Sequence, residues 1–262
     1  MKSFNFKSAA NAKEAIKMAS GRATFLAGGM TLLPAIKLRL AAYSDLINIK
    51  KIKGLSGIKV SSKSLKIGAT TTHAAVAASK EVGRSISSLA VLAEGIGDPQ
   101  VRNRGTIGGS IANNDPAADY PSACFALNAT IHTSKRKIRA DKFFKGMFET
   151  DLKKGELIET VEFEVPEKSS YAKFPNPASR YAIVGIYVAK LKKEVRVAVT
   201  GVESCVFRCK KIEKALTDNF SESAIDNINI SSNGFNSDIH ASAEYRAHII
   251  KVMAKKAISA CE

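Results

Sequence analysis

Residues 96–121 read IGDPQVRNRGTIGGSIANNDPAADYP, and the centre of this stretch is a glycine turn, residues 105–110, with Thr106 and Ser110 on either side of the paired glycines. Glycine lets the backbone adopt a positive φ and approach a ligand closely, and the amides at the start of a helix point outward as donors. Such a turn is suited to holding a phosphate group, and we expect the Gly108 amide to approach it. Taken by itself, the turn also fits a tight connection with no ligand.

A second glycine loop lies near the start of the chain. Residues 23–27 predict a strand, Gly28 and Gly29 follow it, and a short helix begins at Leu32. Two such loops facing each other would hold a pyrophosphate from both sides, and each favourable helix-end contact contributes about 0.3 to 2 kcal/mol. Neither loop fits G-x-G-x-x-G, and neither ends in Gly-Lys-Ser or Gly-Lys-Thr, which excludes the Rossmann and P-loop classes.

Around these loops, short strands alternate with helices. Residues 1–55 predict a β-α-β-α-β unit in which Ser8 caps the first helix, and residues 57–68 predict a hairpin followed by a helix that Thr72 caps. Residues 157–165 alternate apolar and acidic side chains, as a strand with one face in water does. The charged, proline-bearing stretch 166–177 then marks a domain boundary.

Beyond that boundary, residues 183–191 and 195–202 predict an antiparallel hairpin. The last helix carries an apolar stripe, which predicts that it packs on one face. The stripe consists of Tyr245, Ile249, Val252 and Ile258.

The net charge of +16 is concentrated near the N-terminus, where residues 1–60 hold 11 Lys and Arg against Glu14 and Asp45. A positive field of this size attracts nucleic acid, an acidic protein or a ligand with phosphates. The basic clusters contain no interleaved aromatic residues and the chain lacks Trp, so stacking platforms for single-stranded nucleic acid are poorly supplied.

Other kinds of site have little support. The 4 Cys form no C-x-x-C pair and the 4 His form no H-E-x-x-H motif, so we expect free thiols and no metal site. Lys37 and Arg39 interrupt the longest apolar run, and the first twenty residues contain no apolar export segment. We therefore expect no membrane span and a cytoplasmic location.

Taken together, the stretch 96–121 resembles the flavin-binding medium subunit of the molybdenum hydroxylases, a family that includes the carbon monoxide dehydrogenase medium subunit and the flavin subunit of xanthine dehydrogenase. Residues 27–29 resemble the family's other flavin motif, and residues 67–74, IGATTTHA, match a third segment. The similarity continues to the last helix at Tyr245 and Arg246. Met30 departs from the family, because a small polar residue is usual after the two glycines.

The resemblance implies an α+β fold: a vanillyl-alcohol-oxidase (PCMH)-type FAD-binding domain over residues 1–165, with subdomains of about 1–55 and 56–165, and a small C-terminal α+β domain over 166–262. It implies that both glycine loops hold the FAD pyrophosphate and ribityl chain, and that Asp119 hydrogen-bonds the ribityl chain. Tyr181 is expected to cover one ring face. The implied FAD-binding residues are Leu26, Ala27, Gly28, Gly29, Met30, Thr31, Leu32, Leu33, Thr106, Ile107, Gly108, Gly109, Ser110, Asp119, Ile158 and Lys173.

The function implied is electron transfer through FAD within a molybdenum hydroxylase complex. Iron-sulfur clusters are expected on a small partner subunit and the molybdenum cofactor on a large one, assembled as a dimer of heterotrimers. No acid-base residue is expected on this chain, because the flavin supplies the chemistry. Two alternatives stay open: a stand-alone flavin reductase of the same fold, and a non-catalytic, basic nucleic-acid-binding protein.

Overall fold

A parallel three-stranded sheet, in the order β1-β3-β2, forms the first part of the computed structural model, which describes residues 2–261. Its elements are β1 (Asn5–Ser8), α1 (Ala12–Met18), β2 (Ala23–Leu26), α2 (Leu32–Lys37) and β3 (Asp45–Asn48). The predicted β-α-β-α-β order is confirmed. The predicted cap is wrong: Ser8 ends β1, and the side chain of Asn11 caps α1 by accepting a hydrogen bond from Glu14 N at 2.9 Å.

An antiparallel five-stranded sheet, in the order β4-β5-β10-β6-β7, forms the second part together with most of the helices. Thr72 caps the helix His73–Ala77, as predicted. The strand Ile158–Glu164 has buried and partly exposed residues on its two faces, as predicted. The strands and helices are β4 (Ile58–Val60), β5 (Ser64–Gly68), α3 (His73–Ala77), α4 (Lys80–Ser85), α5 (Ser87–Glu94), α6 (Pro99–Arg104), α7 (Ile107–Asn113), α8 (Tyr120–Ala126), β6 (Thr130–Thr133), β7 (Lys137–Arg139), α9 (Ala140–Phe143), β8 (Phe144–Gly146), β9 (Glu149–Thr150) and β10 (Ile158–Glu164).

An antiparallel four-stranded sheet, in the order β11-β12-β13-β14, forms the third part. The predicted hairpin is confirmed, because β12 pairs with β13 from Gly185 opposite Thr200 to Lys190 opposite Val195. The elements are β11 (Lys168–Pro175), β12 (Ala182–Lys190), β13 (Val195–Thr200), β14 (Phe207–Arg208), α10 (Lys210–Asp218), a 3₁₀ helix (Glu222–Ile225) and α11 (Ala243–Ser259).

Two features of this third part were not predicted in full. The stretch 166–177, predicted as a domain boundary, contains a strand, because β11 fills most of it and pairs with β12; its prolines lie before the strand, at its last residue and after it. In α11, Ile249 and Ile258 of the predicted stripe are buried, whereas Tyr245 and Val252 are exposed. The buried face also includes Ile250, Met253 and Ala257.

The third sheet is buried on both faces. One face packs on the second part of the structure, and the other packs on α10 and α11. Tyr187 and Ala189 of β12 join the core of the second part, while Val184, Ile186 and Val188 join the core beneath α10 and α11. β11 also packs beside α5. The four cysteines are free, as expected. Within residues 2–261 no helix has the length and apolar character that a membrane crossing needs.

Candidate functional site

The first glycine loop joins β2 to α2 and carries a row of unpaired amides. Across the described residues 2–261, the N–H groups of residues 27–32 have no hydrogen-bond acceptor. Gly29 has a φ of +76°, which glycine adopts without strain. The loop is accessible, because Met30 and Thr31 are exposed and most of its other residues are only partly buried. A run of outward-facing amides of this kind binds anions.

The second glycine loop is held from within the protein. The amides of Ile107 and Gly108 donate to the carbonyl oxygens of Thr71 and Ala69, at 3.1 and 2.8 Å. A Cβ atom built on Gly108 would lie 2.6 to 2.9 Å from three atoms of Ala69. The Gly108 amide therefore already donates to a protein oxygen and differs in this from the free amides of the first loop; its approach to a phosphate stays a prediction. Glycine is required there because α7 packs directly on Ala69.

Thr106 and His73 complete the support of this loop. Thr106 caps α7 by accepting a hydrogen bond from Gly109 N at 3.1 Å, and Gly105 O accepts one from His73 N at 3.0 Å. The buried imidazole of His73 lies so close to Gly105 that a Cβ there would come within 2.6 Å of Nε2. Burial, with a contribution from the charge of Arg102, lowers the pKa of His73 to about 4, so the ring is neutral near pH 7.

The two glycine loops meet at Gly28. A Cβ atom on Gly28 would overlap the carbonyl oxygen of Arg104 and lie 2.8 Å from the Cα of Gly105. Beside this junction is an open cavity of about 340 Å³ that combines aromatic, aliphatic and basic side chains. It is lined by Phe4, Phe6, Leu26, Ala27, Leu33, Leu46, Asn48, Lys50 and Arg104. Ala27, the first residue of the row of free amides, therefore lines the same opening as the two cations Lys50 and Arg104.

A second group of predicted residues gathers around Asp119, which is 4% exposed. Lys173 Nζ lies 2.9 Å from Asp119 Oδ1 and also donates to the carbonyl oxygens of Gly95 and Arg180, at 2.8 and 3.0 Å. The Tyr171 hydroxyl donates to the same Oδ1. Burial raises the pKa of the Asp119 carboxyl, whereas the charge of Lys173 and the Tyr171 hydrogen bond favour its charged form.

The other carboxylate oxygen, Asp119 Oδ2, is free. In the described part of the chain it accepts no hydrogen bond from another residue, and it is not among the fully enclosed unpartnered atoms. Tyr181 lies near this group and is 44% exposed. Burial and the nearby charges of Asp115 and Asp119 raise the pKa of its phenol. This arrangement places a carboxylate oxygen that has no partner from another described residue near a partly exposed aromatic ring.

Ile158 lies apart from both groups, in the core behind the second loop. It is 5% exposed, and the next residue, Glu159, accepts a hydrogen bond from Ala69 N at 2.9 Å. No hydrogen bond within residues 2–261 joins Asp119 or Lys173 to either glycine loop. The structure therefore presents two neighbourhoods, the junction of the loops and the Asp119 group.

Sequence reasoning missed two residues of the Asp119 group, Tyr171 and Gly185. A Cβ on Gly185 would lie 2.6 Å from the Tyr171 hydroxyl oxygen. One signal was available: Gly185 interrupts an apolar strand, AIVGIYVA, where glycine is unfavourable unless another group needs the space. No pattern in the sequence indicates that the Arg104 main chain packs against Gly28.

Comparison with known proteins gives full-length matches. The sequence profile described as the FAD binding domain in molybdopterin dehydrogenase matches residues 2–167, and the profile described as the CO dehydrogenase flavoprotein C-terminal domain matches residues 169–261. The chain is 35% identical to the glyceraldehyde dehydrogenase medium chain of Sulfolobus acidocaldarius, over 97% of this chain and 96% of the relative. It is 33% identical to the carbon monoxide dehydrogenase medium chain of Hydrogenophaga pseudoflava, over 91% and 88%.

The fold of this chain also matches that of a solved structure over nearly the full length of both chains. The structure superposes on a chain of the reconstituted CO dehydrogenase from Oligotropha carboxidovorans with a TM-score of 0.92 and 26% identity, over 98% of this chain and 97% of that one. The expected α+β fold, an FAD-binding domain followed by a C-terminal domain, is confirmed, as is the resemblance stated from the sequence.

Proposed function

Because this chain belongs to the FAD-binding subunits of the molybdopterin dehydrogenases, we propose that it is the electron-transfer flavoprotein subunit of a molybdenum hydroxylase complex. It is an FAD-binding oxidoreductase subunit. When bound, FAD supplies electron-transfer chemistry between iron-sulfur clusters of a small partner subunit and an external acceptor. The nucleic-acid alternative has no support from this family.

The observation that carries the proposal is the row of free amides in residues 27–32, next to the point where Gly28 meets Arg104. A pyrophosphate needs several donors at once, and unpaired backbone amides provide them without a side-chain entropy cost. Lys50 and Arg104 line the adjacent cavity and add positive charge. We propose that this loop holds the pyrophosphate of FAD, while the second loop contributes Arg104 and the surface of Thr106, Gly109 and Ser110.

Asp119 fits the other polar part of FAD, the ribityl chain with its hydroxyl groups. A carboxylate accepts hydrogen bonds only, and Asp119 Oδ2 has none from another described residue. We propose that Oδ2 accepts a hydrogen bond from a ribityl hydroxyl, that Lys173 keeps the carboxylate charged, and that Tyr181 shields one ring face. Ile158 then supports the second loop from the core.

We assign to this chain binding and orientation of the flavin and no acid-base role. A large partner subunit that holds a molybdenum cofactor would oxidise the substrate, and a small one would hold the iron-sulfur clusters. The glyceraldehyde and carbon monoxide dehydrogenases named above each have a chain termed medium, which supports an assembly of unlike subunits. We propose a dimer of such heterotrimers.

Two measurements test this proposal. The first is purification of the native complex, with its mass and its molybdenum, iron and FAD content determined. It is expected to give this chain, one larger partner, one smaller partner, and one FAD per copy of this chain. Anaerobic addition of carbon monoxide, xanthine or glyceraldehyde to the isolated FAD-loaded chain is expected to leave the flavin absorbance unchanged. Bleaching of the flavin band without partner chains would favour the stand-alone enzyme.

A further inference from the structure

Two side chains of β11 anchor the same oxygen of Asp119. The Tyr171 hydroxyl donates a hydrogen bond to Oδ1, and Lys173 Nζ lies 2.9 Å from that atom. Residues 171 and 173 are two apart in a strand, so their side chains leave the sheet on the same face. The carboxylate at the end of the FAD-binding segment is therefore held by the first strand of the C-terminal sheet.

Gly185 makes room for the Tyr171 hydroxyl. Gly185 lies opposite Lys173 in the β11–β12 pairing, and a Cβ there would lie 2.6 Å from the Tyr171 hydroxyl oxygen and 2.8 Å from Thr200 Cγ2. Its φ is not positive, so the backbone conformation does not require glycine. The requirement comes from the neighbouring side chains, chiefly the phenol. The missing side chain at Gly185 lets Tyr171 reach Asp119.

The hydrogen bond fixes which carboxylate oxygen stays available. Burial and the neighbouring Asp119 charge raise the pKa of Tyr171 well above its usual range, so the phenol keeps its proton and donates. With Tyr171 and Lys173 both on Oδ1, rotation of the carboxylate would break two favourable interactions to a buried group. Oδ2 is thereby held without a protein partner.

We infer that Tyr171 is a positioning residue for FAD, which acts through Asp119 and is accommodated by Gly185. The inference rests on the proposed function, because it assumes that Asp119 Oδ2 accepts from the ribityl chain. It assigns to the C-terminal sheet a part in cofactor affinity beyond packing. Tyr171 acts on the ribityl half of FAD and not on the pyrophosphate, which lies with the first glycine loop.

The test compares FAD with ADP, which carries the pyrophosphate but no ribityl chain, in titrations of the full chain. Tyr171→Phe keeps the ring and removes only the donor, and it is expected to weaken FAD binding about tenfold while leaving ADP affinity unchanged. Tyr187→Phe is the matched control, since Tyr187 lies on the neighbouring strand β12 and its buried hydroxyl bonds to Ser88 Oγ of α5 at 2.6 Å. That variant is expected to bind both ligands like the wild type.

Two further readouts separate positioning from general damage. The visible circular dichroism of the bound flavin is expected to change in Tyr171→Phe and to stay unchanged in Tyr187→Phe. Gly185→Ala, which displaces the hydroxyl, is expected to weaken FAD binding in the wild type and to weaken it less in the Tyr171→Phe background, where the contact with Thr200 Cγ2 remains but the hydroxyl is absent.

Three outcomes are decisive. Equal FAD affinity and equal circular dichroism in Tyr171→Phe and wild type would overturn the inference and leave the proposed function intact. Equal loss of FAD and ADP would overturn it in favour of a structural role. A wild-type chain that binds no FAD would instead overturn the proposed function itself.

Discussion

Gly28 packs directly against the main chain of Arg104, so closely that a Cβ atom on Gly28 would lie 2.7 Å from the Arg104 carbonyl carbon. This contact joins the two glycine loops, although Gly28 and Arg104 are 76 residues apart in the sequence, beside the cavity that Ala27 and Arg104 both line. The position of each loop therefore depends on the other.

Gly28→Ala is expected to abolish or strongly weaken FAD binding. The added methyl group must push the Arg104–Gly105 main chain away, because backbone atoms have no alternative rotamer. Gly83→Ala is the matched control: a Cβ on Gly83 meets nothing within 4 Å, and alanine is favoured in a helix. FAD titration of both variants checks the prediction, and a Gly28→Ala protein with wild-type affinity would contradict it.

Gly108→Ala is expected to destabilise the folded chain even without FAD. The substitution forces a methyl group against Ala69, whose oxygen also accepts the Gly108 amide, and overpacking of this kind costs about 1 to 3 kcal/mol. Urea unfolding of the FAD-free protein measures the loss. An unchanged free energy of unfolding, with only FAD affinity reduced, would show that Gly108 faces the ligand.

Asp119→Asn is expected to weaken FAD binding by about ten- to a hundredfold. A hydrogen bond to a charged group contributes about 1.5 to 3 kcal/mol, and the amide also leaves Lys173 without its ion pair. Asp218→Asn, at an exposed position, is the control. Isothermal titration with FAD gives both affinities, and indistinguishable values would remove Asp119 from the site.

His73 makes stability depend on pH between about 6.5 and 4. The unfolded chain takes up a proton near the usual pKa of 6.5, whereas the buried ring takes one up only near 4. Its contribution to the free energy of unfolding is therefore constant above pH 6.5 and falls by roughly 3 kcal/mol as the pH drops to 4.

His73→Phe keeps an aromatic ring beside Tyr120, whose ring centroid is 5.4 Å away, and removes the titration. Urea unfolding across this pH range is expected to show a flatter profile for His73→Phe than for the wild type. His248→Phe, at an exposed site, is expected to keep the wild-type profile. Parallel profiles for His73→Phe and wild type would contradict the buried neutral imidazole.

Local signals in the sequence were sufficient to predict where the glycine loops lie between strands and helices, because a strand, paired glycines and a helix start are neighbours along the chain. The same holds for the Thr72 cap. The Tyr171–Asp119 hydrogen bond spans 52 residues and follows from sheet packing that no local pattern encodes. The hydrogen bond from the Gly108 amide to Ala69 O could not be predicted either, because Ala69 lies 39 residues earlier in the sequence.

The sequence of the stretch 166–177 predicts a domain boundary but not the strand β11 that fills most of it. Lys168, Pro175 and Pro177 suggest a loop, but the residues between them pair along β12, and tertiary pairing outweighs their composition. Asp119 and Lys173 were named only through family resemblance, and the structure adds that they form an ion pair.

Calorimetric titration of the FAD-free chain with FAD, followed by acid denaturation of the complex, tests the central claim most directly. The chain is expected to bind one FAD, and all of it is expected in the supernatant after acid treatment, because in the proposed site only hydrogen bonds and charge would hold FAD. Flavin that stays with the precipitated chain would contradict noncovalent binding, and a chain that takes up no FAD would contradict the account as a whole.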